Sequence, residues 1–514
     1  MDFPIAALAV ALLISSAVAV LSYLTSTKAS RYPPGPKGWP LIGNLLDAPK
    51  PGSEWVDYHE MCKKYNSEMV YLRVLGQSVL VLDSIEAITE LLDKRSSIYS
   101  SRPRLVMLVE LMVWNWNFGL MPYGDNWRAH RQVFQSEFNI RTGILHHPQQ
   151  THGAHELLVR LLGLERSDQW RKNLRHQIGA TILDIAYGIN ALPEDDPFIK
   201  LAEQTFVVTG SALIPGRFLV ETVPMLKYVP AWVPGASFQL VAQKAKTALR
   251  DTVEVPFDQV KRAMADGTAQ PSFTLNRLQR INLSGDVKYQ ETVVKNCAAT
   301  IFAAGADTTV STLSTFVLAM MKHPEVQVKA QLELDSVLGS GQLPSFGDEA
   351  SLPYISAIVK ECLRWKVATP IGVPHQSTKD DEYNGYHIPA GTLMIPNSWA
   401  VLNDERMYPD PFTFNPDRFM KDGNLDPLVR DPEAPFGYGR RICPGRHMAR
   451  DTIWINIACI LACFNIEKPL DAHGNAFEPS VEYTSQLIRH PEPFEARIKP
   501  RSKDVEDMIR GLSV

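Results

Sequence analysis

Phe436-Gly437-Tyr438-Gly439-Arg440-Arg441-Ile442-Cys443-Pro444-Gly445 sets one cysteine in a glycine-rich, doubly basic loop. A thiolate is a strong iron ligand, and three things keep a sulfur ionised: nearby positive charge, the metal itself, and backbone N–H groups aimed at it. The arginines supply charge. Gly439 and Gly445 permit close approach, because glycine takes backbone conformations closed to other residues. Pro444 suits the first turn of the helix that the pattern from Arg446 to Cys463 predicts. The bland alternative for a lone cysteine is a small buried apolar side chain beside a turn.

The order Phe, two residues, Gly, one residue, Arg, one residue, Cys, one residue, Gly is filled by Phe436, Gly439, Arg441, Cys443 and Gly445. It resembles the haem-binding loop of the cytochrome P-450 superfamily, the haem-thiolate monooxygenases. With Tyr123-Gly124-Asp125-Asn126-Trp127-Arg128, the texture looks most like membrane-bound fungal members. The resemblance implies haem b as cofactor, with Cys443 as the axial ligand of its iron. It also implies a mainly α fold with small β-sheets and an N-terminal transmembrane helix.

Glu291 to Met321 reads as one long helix, stopped by Lys322-His323-Pro324. Its middle, Ala304-Gly305-Ala306-Asp307-Thr308-Thr309, is an odd place for small and polar residues. Gly305 costs helix stability, and close approach of a flat cofactor and O2 is one reason to keep it. A threonine hydroxyl can bond back to the carbonyl four residues earlier, here Ala304, bending the helix and opening a small pocket. Cleaving an O–O bond needs two protons, and a hydroxyl beside a carboxylate is a workable relay. The segment resembles the family's oxygen-activation motif, which implies that role for Thr308 and Asp307. By itself the hexapeptide also reads as a polar notch on a buried helix.

Glu361 and Arg364 stand at i and i+3 on one side of a helix, a spacing that alone gives a solvated salt bridge. With Arg418 from Pro416-Asp417-Arg418-Phe419 they resemble the family's Glu-Arg-Arg triad, which implies a structural lock. Haem propionates need cations or hydrogen-bond donors. Trp127 and Arg131 lie four apart on one helix face and resemble the propionate-binding helix, and Arg441 adds a third donor. His375 stands where many relatives put a propionate-contacting histidine or arginine; a free surface histidine is the alternative. Arg440, Arg446 and Arg450, with Arg128 and His130 as candidate neighbours, read as a solvated basic face or as a steering patch for an acidic flavoprotein. The resemblance implies an NADPH-dependent cytochrome P-450 reductase as that partner. No nicotinamide or flavin motif is present in the sequence.

Lys and Arg number 52 against 56 Asp and Glu, a net charge of −4, so no basic field points to nucleic acid. Six scattered cysteines show no disulfide or zinc spacing and fit a reducing compartment. Phe3 to Leu24 carries no charge over 22 residues, enough to cross a bilayer. A cleavable signal peptide competes with this reading, and Ala17-Val18-Ala19 imitates a cleavage site. Only Asp2 precedes the run, however, which favours an uncleaved anchor. Lys28, Arg31 and Lys37 follow it and place the remainder in the cytosol. The expected division is 1–24 anchor, 25–50 Pro/Gly-rich hinge around Pro33-Pro34-Gly35-Pro36, and 51–514 catalytic domain, on the endoplasmic reticulum membrane with lipid as a further partner. Met69–Leu75 and Val79–Leu82 predict a hairpin turning at Gly76-Gln77, and Tyr386 to Ile395 a second strand region turning at Pro389-Ala390-Gly391.

The expected activity is insertion of one atom of O2 into an apolar or aromatic small molecule with NADPH-derived electrons, in secondary metabolism of terpenoid, polyketide or indole type. The resemblance implies that Arg102 to Trp116, Phe206 to Phe218, Ile301 to Ala303, Val367 to Val373 and Thr484 to Leu487 border the substrate, with Leu105 to Leu108, Phe302, Ile371 and Leu487 as the apolar lining. Two alternatives are a haem-thiolate isomerase or dehydratase acting on a peroxide, and a non-catalytic haem- or lipid-binding protein.

Overall fold

The computed structural model describes residues 31–512 apart from 51, 211, 213–216, 340, 472 and 486, together with Ser16. The expected anchor, 25–30 of the hinge, and most of the substrate segment after Phe206 lie outside the residues whose side chains are described. The chain divides into two compact units. One comprises the described residues up to Pro103, with Ile371–Val401 and Tyr438–Arg441; the other comprises Arg104–Pro370, Leu402–Gly437 and the chain from Ile442 onward.

In the first unit, α1 (Glu54–Lys64) precedes β1 (Met69–Val74) and β2 (Gln77–Leu82), which pair antiparallel from Met69 opposite Leu82 to Val74 opposite Gln77. The hairpin turn is Leu75-Gly76, one residue earlier than the sequence suggests. Both residues have positive φ, 48° and 89°, as a two-residue turn matched to strand twist requires. The later strands are β3 (His375–Gln376), β4 (Asp381–Tyr383), β5 (Tyr386–Ile388) and β6 (Leu393–Pro396). The expected second strand region forms on both sides of Pro389-Ala390-Gly391, but its two strands do not pair with each other. β5 pairs back with β4, while β6 crosses to lie parallel to β2 and antiparallel to β3, giving the order β1-β2-β6-β3. Pro389-Ala390-Gly391 therefore links two sheets. Strand alternation turns Val70 and Leu72, with Val79 and Val81, toward Trp55, Tyr58 and Cys62 of α1. Ile371 packs into this core.

The second unit is helical. The helices that position its functional side chains are α2 (Asp125–Glu137), α3 (Trp170–Tyr187), α4 (Val287–Lys322), α5 (Pro353–Trp365) and α6 (Arg446–Cys463). α4 is the longest of them and packs on the other four. It starts a turn before the expected Glu291, because Asp286 caps it by accepting the Tyr289 N–H at 3.0 Å. It stops as expected: His323 N–H bonds Ala319 O and Pro324 opens the next helix. Among the described residues α4 is the one helix long and apolar enough to cross a membrane, and 78% of its most apolar window is buried. Apolar all round and covered by protein, it is a core helix.

Glu361, Arg364 and Arg418 meet. Arg364 grips Glu361 with Nε and Nη2, both at 2.7 Å, and neither side chain is exposed. Arg418 Nε donates to the same carboxylate at 3.2 Å. The remaining guanidinium N–H groups take the carbonyls of Leu402, Pro409, Asp410 and Thr413, and Asn415 N–H also donates to Glu361. The buried charges are thus fully hydrogen-bonded, and they tie the stretch before the cysteine loop to α5.

Candidate active site

Cys443 sits where a loop closes on itself just ahead of α6. Its N–H donates to Phe436 O at 2.7 Å, and Arg450 lies over the Phe436 ring at 5.2 Å. Gly439 has φ 55°, and a Cβ there would meet Leu92 O at 2.0 Å, so the loop admits only glycine. Gly445 is different. Its φ of −91° is open to any residue, and its part is an N–H directed at the Cys443 sulfur. Because Gly445 caps α6, Pro444 falls outside the helix and not in its first turn.

Burial pushes the Cys443 thiol up, against the Gly445 N–H and the charges of Arg131 and Arg446. The residue as a whole is half-buried. Arg131 Nη1 donates to Ile442 O at 2.6 Å, and its guanidinium lies 6.0 Å from the Trp127 ring. Burial lowers the Arg131 pKa to about 10, with Cys443 working in the opposite sense. Trp127 and Arg131 are both buried on α2.

In the other unit, Arg441 Nε donates to Ser100 O at 2.6 Å, and His375 Nδ1 pairs with Tyr99 O at 2.8 Å. His375 is 3% exposed, which excludes a surface histidine. Burial, then Arg102 and Arg441, holds its pKa well below the usual value, so it is neutral. Arg102 joins this group, with Nη1 on the carbonyls of Val373 and Pro374 at 2.6 and 2.9 Å.

On α4, Thr308 Oγ1 donates to Ala304 O at 3.0 Å and Thr309 Oγ1 to Gly305 O at 2.7 Å, two successive back-bonds at the expected notch. Ala304 is exposed although Ala299–Ala303 are buried, so the open face of the notch belongs to Ala304. Gly305 faces the neighbouring helix, its Cβ position 3.4 Å from Ile182 of α3. Phe302 likewise turns inward, edge-on to Tyr187 at 6.3 Å. Asp307 accepts from Arg175 Nη1 at 2.7 Å and lies 3.0 Å from His490 Nε2. Burial opposes its charge, but His490 and then Arg175 outweigh burial and hold the carboxyl at about 2.

A family model described as Cytochrome P450 matches residues 33–498. The chain belongs to the cytochrome P450 family. It is 44% identical over 501 residues to cytochrome P450 monooxygenase 98 of Postia placenta, covering 96% of both chains. It is 41% identical over 510 residues to tryptamine 4-monooxygenase of Psilocybe cyanescens, covering 98% of this chain and all of that one. Cytochrome P450 monooxygenase ple1 of Rhodocybe pseudopiperita is 40% identical over 504 residues, covering 97% and 96%. This cytochrome P450 is therefore a monooxygenase, an oxidoreductase whose family implies a haem-thiolate cofactor, a redox partner, a small substrate and O2.

The residues present fit that cofactor. Cys443 offers a sulfur whose ionisation the protein supports but does not complete, which a cation at the sulfur would finish. Ala304 offers an accessible face in an otherwise buried stretch. Three residues of this P450 have no signature in the sequence: Arg102, Arg175 and His490 reach their partners only through tertiary packing. His130 leaves the expected basic face, being 1% exposed and bonded to Asn126 O and Asn296. Arg450 pairs with Glu433 and Arg128 with Asp125, which thins that face further.

Proposed function

We propose that this P450 binds haem b through Cys443 and inserts one atom of O2 into a C–H bond of an apolar or aromatic small molecule, the other atom leaving as water. Bound there, haem supplies the iron at which O2 is activated and the substrate oxidised. The observation that carries the proposal is the Cys443 sulfur, faced by the Gly445 N–H and by the charges of Arg131 and Arg446.

The chain's own residues hold, orient and protonate. The loop bond from Cys443 N–H to Phe436 O fixes the sulfur's direction. Trp127, Arg131, Arg441 and His375 are the propionate partners in this reading; the one proton of neutral His375 is on Nδ1 toward Tyr99 O, so His375 donates to a propionate only when Nε2 gains a second proton. Thr308 presents a hydroxyl at the open face of α4, and Asp307 supplies its protons. Val106, Met107, Leu108, Ala299 and Ala303 belong to one buried apolar cluster, which supports an apolar substrate and excludes water. A relative named tryptamine 4-monooxygenase supports the aromatic, indole-like end of that class. Relatives from fungi support a place in secondary metabolism.

Electrons come from an NADPH-dependent cytochrome P450 reductase, with Arg440 and Arg446 beside the cysteine as the steering charges. Residues 1–24 anchor the chain in the endoplasmic reticulum membrane, 25–50 form the hinge, and 51–514 form the cytosolic catalytic domain. The reduced holoenzyme should bind carbon monoxide with the red-shifted band of thiolate ligation. A Cys443→Ala protein that kept that band would overturn the assignment.

A further inference from the structure

His490 reaches Asp307 from the loop near the end of the chain, and its backbone is fixed there from both sides. Its N–H donates to Thr484 Oγ1 at 3.1 Å and its carbonyl accepts from Thr484 N–H at 2.8 Å. The ring is buried, with Nε2 3.0 Å from Asp307 Oδ2 and Nδ1 without any hydrogen-bond partner. His375 is a useful contrast, since a bond to Tyr99 O pins its Nδ1. At His490 the Asp307 carboxylate pins Nε2 as the donor and leaves Nδ1 as the nitrogen open to a further proton.

Asp307 as it stands is a poor proton donor. Arg175 holds Oδ1 and His490 holds Oδ2, while the Thr308 hydroxyl is turned to Ala304 O. A donor to Thr308 must first gain a proton and then free an oxygen. Arg175 cannot give one up, because a guanidinium stays charged in proteins. An imidazole can.

We propose that His490 is a positioning residue for Asp307 that also stores the proton Asp307 passes on. The inference rests on the monooxygenase reading above. In the step, the Nε2–H bond of the His490 imidazolium breaks and an O–H bond forms at Asp307 Oδ2. Imidazolium and carboxylate become imidazole and carboxylic acid, and no electrons change hands. The neutral acid keeps Arg175 on Oδ1 and turns Oδ2–H toward the Thr308 hydroxyl. A proton drawn from bulk solvent and taken up at Nδ1, with the remaining N–H returned to Nε2, then restores the imidazolium.

The surroundings leave this proton to His490. Asp307 faces it from α4. Arg175 and Arg171 face it from α3, Arg171 donating to Pro491 O at 2.9 Å and sensing both Asp307 and Glu492. Arg489 lies over the Tyr483 ring at 4.9 Å, and burial pushes that phenol up out of reach of neutral pH. A histidine is the one side chain of this set whose ordinary pKa lies near neutrality.

The test uses full-length holoenzyme with reductase and NADPH and no added substrate, comparing parent, His490→Gln and His490→Leu between pH 6 and 8. Glutamine can hold Oδ2 with an N–H but carries no proton. The expected result is a several-fold larger share of O2 released as hydrogen peroxide in both variants, with the parent's pH dependence of that share flattened. A glutamine variant matching the parent at every pH would overturn the proposal. A second readout is the infrared band of the protonated Asp307 carboxyl, isolated as the difference from Asp307→Asn. It should titrate at higher pH in His490→Leu than in the parent, and an unmoved titration would likewise overturn the proposal. The carbon monoxide band separates the two levels of the argument: its absence in the parent contradicts the haem-thiolate reading, and its presence in all three proteins with unchanged peroxide share contradicts only the role of His490.

Discussion

Cys443 and Asp307 are both acids enclosed in the same unit, and burial opposes the charge of each, yet the balance falls in opposite directions. At the sulfur, one backbone N–H and two guanidiniums do not overcome burial, and the thiol stays above its usual range. At the carboxyl, His490 and Arg175 overcome burial and hold it at about 2. The difference is one of contact: Asp307 has a hydrogen-bond partner at each oxygen, Arg175 at 2.7 Å and His490 at 3.0 Å. The cysteine side is electrostatically unfinished, and in the proposed reading the cofactor completes it. The aspartate side is finished by the protein, and needs a proton carried in before it can donate one.

Substitutions should pull these two sides apart. The largest effect belongs to the sulfur: Cys443→Ala should cut product formation to below about a thousandth of the parent, measured as oxidised product per NADPH. Glu361→Gln provides a structural reference in which a buried charge is finished by protein alone. It should lower unfolding free energy by about 3–5 kcal/mol in urea, because two guanidiniums lose a common carboxylate, and the folded fraction should keep its coupling. Thr308→Ala should leave the carbon monoxide band intact and raise the peroxide share about tenfold.

The smallest expected effect concerns stability and pH. The folded carboxyl of Asp307 is depressed to about 2 from an ordinary 3.8. Its ionisation therefore stabilises the fold above the unfolded pKa, and that contribution is lost as pH falls through the folded value. Asp307→Asn should be roughly 2 kcal/mol less stable at pH 6, and the gap should close as pH is lowered from about 4 toward about 2. A gap that is constant with pH would mean that His490 and Arg175 stabilise no charge there.

Features fixed by short spacing were legible in the sequence: the Cys443 loop, the limits of α6, the end of α4 and the Thr308 back-bond. Each depends on residues within a turn or two of one another. Facing and long-range pairing were not. Sequence puts the open side of the notch at Gly305, but helix rotation gives it to Ala304 and packs Gly305 on Ile182. Apolar residues at Phe302 and Ile371 fit a cavity or a core equally well, and only packing sends both to the core. Arg175 and His490 come to Asp307 from 132 and 183 residues away, beyond any local pattern. The pairing of β6, though not the strand itself, escaped prediction for the same reason, since its partner β2 lies about three hundred residues earlier in the chain.

X-ray absorption at the iron of the purified holoenzyme tests the central claim most directly, because it reads the ligand atom itself. One sulfur among the iron's nearest neighbours in the parent, absent in Cys443→Ser, is the expected result. A parent iron with no sulfur neighbour, or a sulfur that survives the substitution, would contradict it.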